Sequence, residues 1–247
     1  MSTINEKNNF ALVPRAPGAL EKAEPGAKRI LSGMVSDTLS LARRELDTSP
    51  TKPASHLKSS EAAERLYQLG LRCQEDGKYI QAFQWFRVAA EKGLADAQFS
   101  LGQCYDYGQG VAQEGAEAVK WYRKAAEQGH TRAQDCVGTN LYVGRGVEKD
   151  YVEAVKWLRK TAESAYDCNL LWLGECYVEG KGIAQDYCEA YKFYKLVSQK
   201  RWFLERPETG VQQRMDSLVM RMTSAEIAEG ERRYREFQAK YRDPEQT

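Results

Sequence analysis

Ser55-His56-Leu57-Lys58 has the S-x-x-K spacing of serine acylases, so acyl transfer is the first chemistry its residue types suggest. The stretch is polar, rich in Pro, Ser and Lys, and no companion K-T-G follows, so the match reads as coincidence. Glycine pairs at Gly108/Gly110, Gly144/Gly146 and Gly180/Gly182 suggest phosphate loops, yet no G-K-[ST] follows any of them. Six cysteines, Cys73, Cys104, Cys136, Cys168, Cys176 and Cys188, include no C-x-x-C pair, and only His56 and His130 could complete a zinc site. No catalytic residue, cofactor or metal ligand is assigned, and the chain is expected not to be an enzyme.

The elements that would carry these residues repeat. LGQCYDYGQGV at 101–111 recurs as VGTNLYVGRGV at 137–147 and LGECYVEGKGI at 173–183, a period of 36 residues that signals stacked helix pairs. In one unit Ala97, Leu101 and Tyr105 form the apolar stripe of a first helix, with Gly102 beside them to admit a partner helix closely. The two loop glycines are expected to end that helix in left-handed conformations, and Val111, Val147 and Ile183 to plug the turn into the core. Asp150 with Glu153, and Asp186 with Glu189, have capping-box spacing at the start of a second helix. That helix is expected to bury Ala118, Trp121 and Ala125 or their counterparts, and Gly129 to end it.

The pattern A-x-x-x-L-G-x-x-Y-x-x-G-x-G-V, followed by K-x-x-x-x-x-A-A and a closing Gly, resembles the Sel-one-like repeat, a branch of the tetratricopeptide superfamily. Three copies match, from Ala97 to about Ser198, and residues 66–93 look like an ordinary tetratricopeptide unit through Leu69, Gly70, Gly77, Tyr79, Ala82, Phe86 and Ala89. The resemblance implies an all-α, right-handed α-solenoid of stacked antiparallel helix pairs. Leu141 replaces the usual Tyr and Ala165 the closing Gly. Some relatives are secreted and carry a disulfide in each repeat, but here only Cys104 and Cys176 share a register, so buried thiols in a reducing compartment are expected.

First helices line the concave side in that superfamily, so the resemblance turns their non-packing residues toward a groove. These are Tyr67, Leu71 and Gln74; Phe99, Gln103 and Asp106; Asp135, Thr139 and Tyr142; Leu171, Glu175 and Val178. Aromatic and aliphatic groups interleaved with acids suit a peptide or partner helix carrying basic and apolar residues.

The ends of the chain differ from the repeats. Residues 1–59 read as an extension with an amphipathic helix at about 27–45, carrying Ile30, Leu31, Met34, Val35 and Leu39 on one side, then a polar linker. That helix has three uses: docking on a partner, which is the expected one, folding into the chain's own groove, or touching a membrane. Residues 60–202 hold the repeats. In 203–247, Val211, Met215, Leu218 and Met222, then Ile227, Tyr234, Phe237 and Tyr241 behind the capping box Thr223 to Glu226, are expected to cover the open end of the stack.

A formal net charge of +1 with 29% charged residues gives no case for nucleic acid. No apolar run is long enough to span a membrane, and MSTINEKNNF lacks the features of a secretory signal, so a cytoplasmic site is expected. The function expected is a non-catalytic protein-binding scaffold or adaptor. The alternatives are a regulatory subunit of an enzyme or signalling complex docked through the N-terminal helix and, less favoured, a hydrolase of the penicillin-binding type.

Overall fold

Helical periodicity becomes eight paired helices and two closing ones. The computed structural model describes residues 59–163, 170–199 and 210–241, and these contain ten helices and no strands. First helices α1 (Ser59–Glu75), α3 (Ala95–Tyr107), α5 (Thr131–Val143) and α7 (Leu170–Glu179) pair with second helices α2 (Tyr79–Glu91), α4 (Gly115–Glu127), α6 (Tyr151–Glu163) and α8 (Tyr187–Ser198). Two more, α9 (Val211–Val219) and α10 (Ser224–Tyr241), both pack on α8.

Glycine sets the closeness of each pair. A Cβ on Gly102 would lie 2.6 Å from the Tyr122 ring, one on Gly138 2.9 Å from Leu158, and one on Gly174 2.5 Å from Tyr194. Tyr122, Leu158 and Tyr194 are each 1% exposed, so the absent methyl is the space a large side chain fills. This corrects one expectation. The second helices bury Tyr122 and Leu158, whereas the preceding Trp121 and Trp157 are only half-buried, with Lys124 3.7 Å and Lys160 4.4 Å from their rings. In the first and fourth units both members go in, Trp85 at 9% with Phe86 at 0% exposure and Phe193 at 4% with Tyr194 at 1%.

The loops couple neighbouring pairs. Gly110, Gly146 and Gly182 have φ near 70°, and a Cβ on any of them would stand 2.2 Å from a backbone oxygen of Tyr79, Gly115 or Tyr151 respectively, at the start of the preceding second helix. The left-handed turn thus brings each loop onto the unit before it. Val111, Val147 and Ile183 pack into the core from these loops, as expected.

The caps divide into two kinds. Asp150 accepts the Glu153 amide at 2.9 Å and Asp186 accepts those of Cys188 and Glu189, but the two glutamates do not answer reciprocally. Glu153 instead binds Arg123 of α4 at 3.0 Å, and Glu189 binds Arg233 of α10 at 3.1 Å, so these acids join helices. At Thr223 the full reciprocal box forms: the Thr223 amide donates to Glu226 at 2.7 Å, and the Glu226 amide donates back to the Thr223 hydroxyl at 3.3 Å. Val211, Met215, Leu218 and Tyr234 are buried at the end of the stack, with Met222, Ile227 and Phe237 packed against the same core. The five described cysteines are free; Cys104 and Cys176 occupy equivalent core positions, where burial pushes both thiols up to about 12.

Candidate partner-binding face

The half-buried and exposed residues of the first helices form the candidate face. Of the expected stripe, Leu71, Gln103, Thr139, Leu171, Glu175 and Val178 stay half-buried at that surface. Three others sink into the core, which corrects their assignment as contact residues. Phe99 is 5% exposed, stacked on His130 at 4.6 Å and set against Tyr122 at 5.6 Å, with the Arg132 guanidinium 4.8 Å from its ring. Asp106 and Asp135 are 7% and 8% exposed.

Asp106 belongs to a series of contacts absent from the sequence reading. The residue between the two loop glycines is Gln109, Arg145 or Lys181, and each reaches back to the last turn of the preceding first helix. Gln74 donates to Gln109 at 3.3 Å, Arg145 pairs with Asp106 at 2.8 Å, and the Lys181 ammonium lies 5.7 Å from the Tyr142 ring. An amide pair, an ion pair and a cation–π contact thus hold equivalent places along the array. Burial raises the Asp106 carboxyl even though Arg145 and the Tyr122 hydroxyl lower it. Tyr142 also contacts Trp172 at 4.9 Å and Tyr151 at 5.4 Å, and burial pushes its hydroxyl up to about 12. Tyr67 packs at 5.7 Å from Phe86 and hydrogen bonds Ser100 of the next first helix, while Glu175 pairs with Arg214 of α9. Gln74, Asp106, Tyr142 and Glu175 therefore fasten one unit to the next.

Two residues missed in the sequence are the open ones. Tyr107 is 58% exposed and Val143 39%, at equivalent positions one period apart at the ends of α3 and α5. Each lies four residues beyond Gln103 or Thr139, on the same side of its helix. The signal was the recurrence of an apolar residue directly before the first loop glycine.

The four first helices hold eight acids and three bases, and the four second helices nine bases and six acids. Of the first-helix acids, Asp106 and Asp135 are buried, and Arg145, Lys181 and Arg214 pair with Asp106, Glu179 and Glu175. Exposed Glu64, Glu75, Asp96 and Glu179 lie on the first helices, and exposed Lys120, Lys124, Lys156 and Lys160 on the second.

The remaining chemical candidates carry little. No group of three metal-binding side chains occurs among the described residues, and no described helix is long and apolar enough to cross a membrane. Ser55, Lys58 and the N-terminal segment with Ile30, Leu31, Met34, Val35 and Leu39 lie outside the described residues.

A Sel1 repeat family model matches residues 62–94, 95–130, 137–166 and 170–198. The first match includes the unit read above as an ordinary tetratricopeptide, so four units share one type. The crystal structure of a Sel1 repeat protein from Oxalobacter formigenes is similar at 31% identity, with a TM-score of 0.52 over 70% of this chain and 69% of that one. A protective antigen of uropathogenic Escherichia coli strains, described as displaying an SLR fold, is 26% identical with a TM-score of 0.48, over 87% of this chain and 55% of that one. No curated protein matches the sequence.

Proposed function

This chain belongs to the Sel1 repeat family, whose members generally mediate protein–protein interaction, and on that premise we propose that it is a non-catalytic adaptor holding a partner segment on its first-helix face. The observation that carries the reading is the pair Tyr107 and Val143, large apolar side chains left open at equivalent positions on a helix layer that also exposes Glu64, Glu75 and Asp96. A monomer gains nothing in stability by exposing them, whereas a partner helix that covered them would remove apolar surface from water. The acids favour lysines and arginines around that apolar contact. Gln103, Thr139, Leu71, Leu171 and Val178 extend the surface, while Phe99, Asp106 and Asp135 support it from within. The proposed setting is the cytoplasm, where the Cys104 and Cys176 thiols stay reduced in the core.

The test is affinity capture from the native host with wild type and with Tyr107→Ala/Val143→Ala, read by quantitative mass spectrometry. The variant should keep the wild-type unfolding temperature, because both side chains are open, and should lose its specific partner by tenfold or more, about 1.4 kcal/mol. Undiminished capture by a fully folded variant would remove the face from consideration.

A further inference from the structure

The exposed large apolar residues of the repeats gather at one edge of the array. Tyr79 and Ile80 start α2, Val152 lies at the start of α6, and Tyr107 and Val143 end α3 and α5. The end of each first helix and the start of its second flank one loop, so all five residues lie where the helix pairs turn. At the opposite edge second helices end at Glu91 and Glu127 and first helices begin at Ala95 and Thr131. No large apolar side chain is exposed there among the described residues.

The row is symmetric about α4. First helices end in Glu75, Tyr107, Val143 and Glu179, an acid at each outer place and an apolar residue at each inner one. Second helices start with Tyr79-Ile80, Gly115-Ala116 and Tyr151-Val152, so a small pair lies between two large ones. A two-fold rotation about the start of α4 would therefore set Tyr107 against Val143 of a second copy, and Ile80 against Val152 of that copy. A residue on the axis meets its own counterpart, and the small, exposed Ala116 lets the two edges close. Charge follows the same symmetry. Asp76 pairs with Lys78 at one end and Glu179 with Lys181 at the other, so rotated copies bring opposite signs together. Arg145, near the middle, is turned back onto Asp106. Beside Val152 an open depression of about 470 Å³, lined by Leu141, Val147, Tyr151 and the Arg123–Glu153 pair, would receive Tyr79 and Ile80 of the second copy. A stable dimer takes about 20–30 residues from each partner, and the exposed residues within 75–81, 107–116, 143–152 and 179–185 supply that number.

We infer that this edge joins two copies of the chain in an antiparallel, two-fold dimer. The inference rests on the reading that Tyr107 and Val143 contact a partner, and it makes a second copy of the chain that partner at the loop edge.

Sedimentation equilibrium of the full-length chain tests it. Wild type should sediment at micromolar concentration with twice its chain mass of 28.1 kDa. Ile80 and Val152 are 52% and 54% exposed, so Ile80→Arg/Val152→Arg should keep the wild-type circular dichroism and weaken self-association at least about tenfold. A short thiol cross-linker, read by peptide mapping, should join Ala116→Cys to its own counterpart. It should join Ile80→Cys to Val152→Cys in a mixture of the two single variants, and neither of them to itself. A wild type that stays monomeric, a dimer that Ile80→Arg/Val152→Arg leaves intact, or self-linking of Ile80→Cys would overturn the inference. Capture with Tyr107→Ala/Val143→Ala is decided separately: a monomeric wild type whose partner is still lost in that variant would keep the face and remove only the dimer.

Discussion

At the scale of single residues, one position around a helix separates core from surface. Tyr122 is 1% exposed against Gly102, while its neighbour Trp121 lies half-buried beneath Lys124. Truncating Tyr122 to Ala should cost about 3–5 kcal/mol through lost burial and the cavity left behind. Trp121→Ala should cost clearly less, and denaturant unfolding of the two variants compares them directly. His130 gives a pH-dependent counterpart. Its Nδ1 accepts the Ala133 amide at 3.1 Å at the start of α5, its Nε2 lies 3.3 Å from Asp96, and Arg132 and Phe99 also face it. Burial is the main cause of its lowered pKa, with Arg132 adding to it and Asp96 opposing it. The unfolded chain therefore takes up the proton first. Stability from the neutral ring is complete above the ordinary value of about 6.5 and is lost as pH falls from there through the folded pKa. Urea midpoints from pH 7.5 to 5.5 should fall more steeply for wild type than for His130→Leu, which copies Leu94 at the equivalent position; parallel slopes would refute the assignment.

At the scale of elements, each loop fastens two helix pairs. Arg145 is half exposed, but its partner Asp106 is buried, so loss of Arg145 leaves a carboxylate short of its main cation. Arg145→Ala should destabilise the chain by about 1–3 kcal/mol. A double-mutant cycle with Asp106→Ala should return a coupling energy of about 1 kcal/mol, whereas additive effects would mean that the pair is not a fastener. The variety of pairs at this position, Gln74 with Gln109, Asp106 with Arg145 and Tyr142 with Lys181, has a physical benefit: each loop is matched chemically to its own neighbour. The mixed use of the cap glutamates fits the same pattern, since Glu153 and Glu189 join helices where Glu226 closes a local box.

At the scale of the molecule, the array is a line of nearest-neighbour contacts that must be closed at its ends. Helices α9 and α10 cover the core around Tyr191, Phe193 and Val197, and Arg233 ties α10 to Asp186 at 2.8 Å and Glu189 at 3.1 Å. Removing residues 210–247 should therefore unfold α7 and α8 first. Hydrogen exchange would show their amides losing protection well before those of α1 and α2, and uniform loss would instead mark the array as one cooperative unit.

The sequence by itself determined the repeat, the helix pairing, the loop conformations and the closing helices. Each is written in local chemistry: glycines where φ is positive or helices touch, an acid or hydroxyl before a helix, apolar residues every three or four positions. Only the tertiary structure decided which of two adjacent apolar residues faces inward, as with Trp121 and Tyr122, or that Phe99 packs between units while Tyr107 stays open. Successive residues on a helix differ by about 100°, so an apolar pattern locates the buried stripe to within a residue on either side. The final choice is made by neighbouring helices, and Asp106, the partner of Arg145, stands 39 residues back along the chain, where no local pattern reaches.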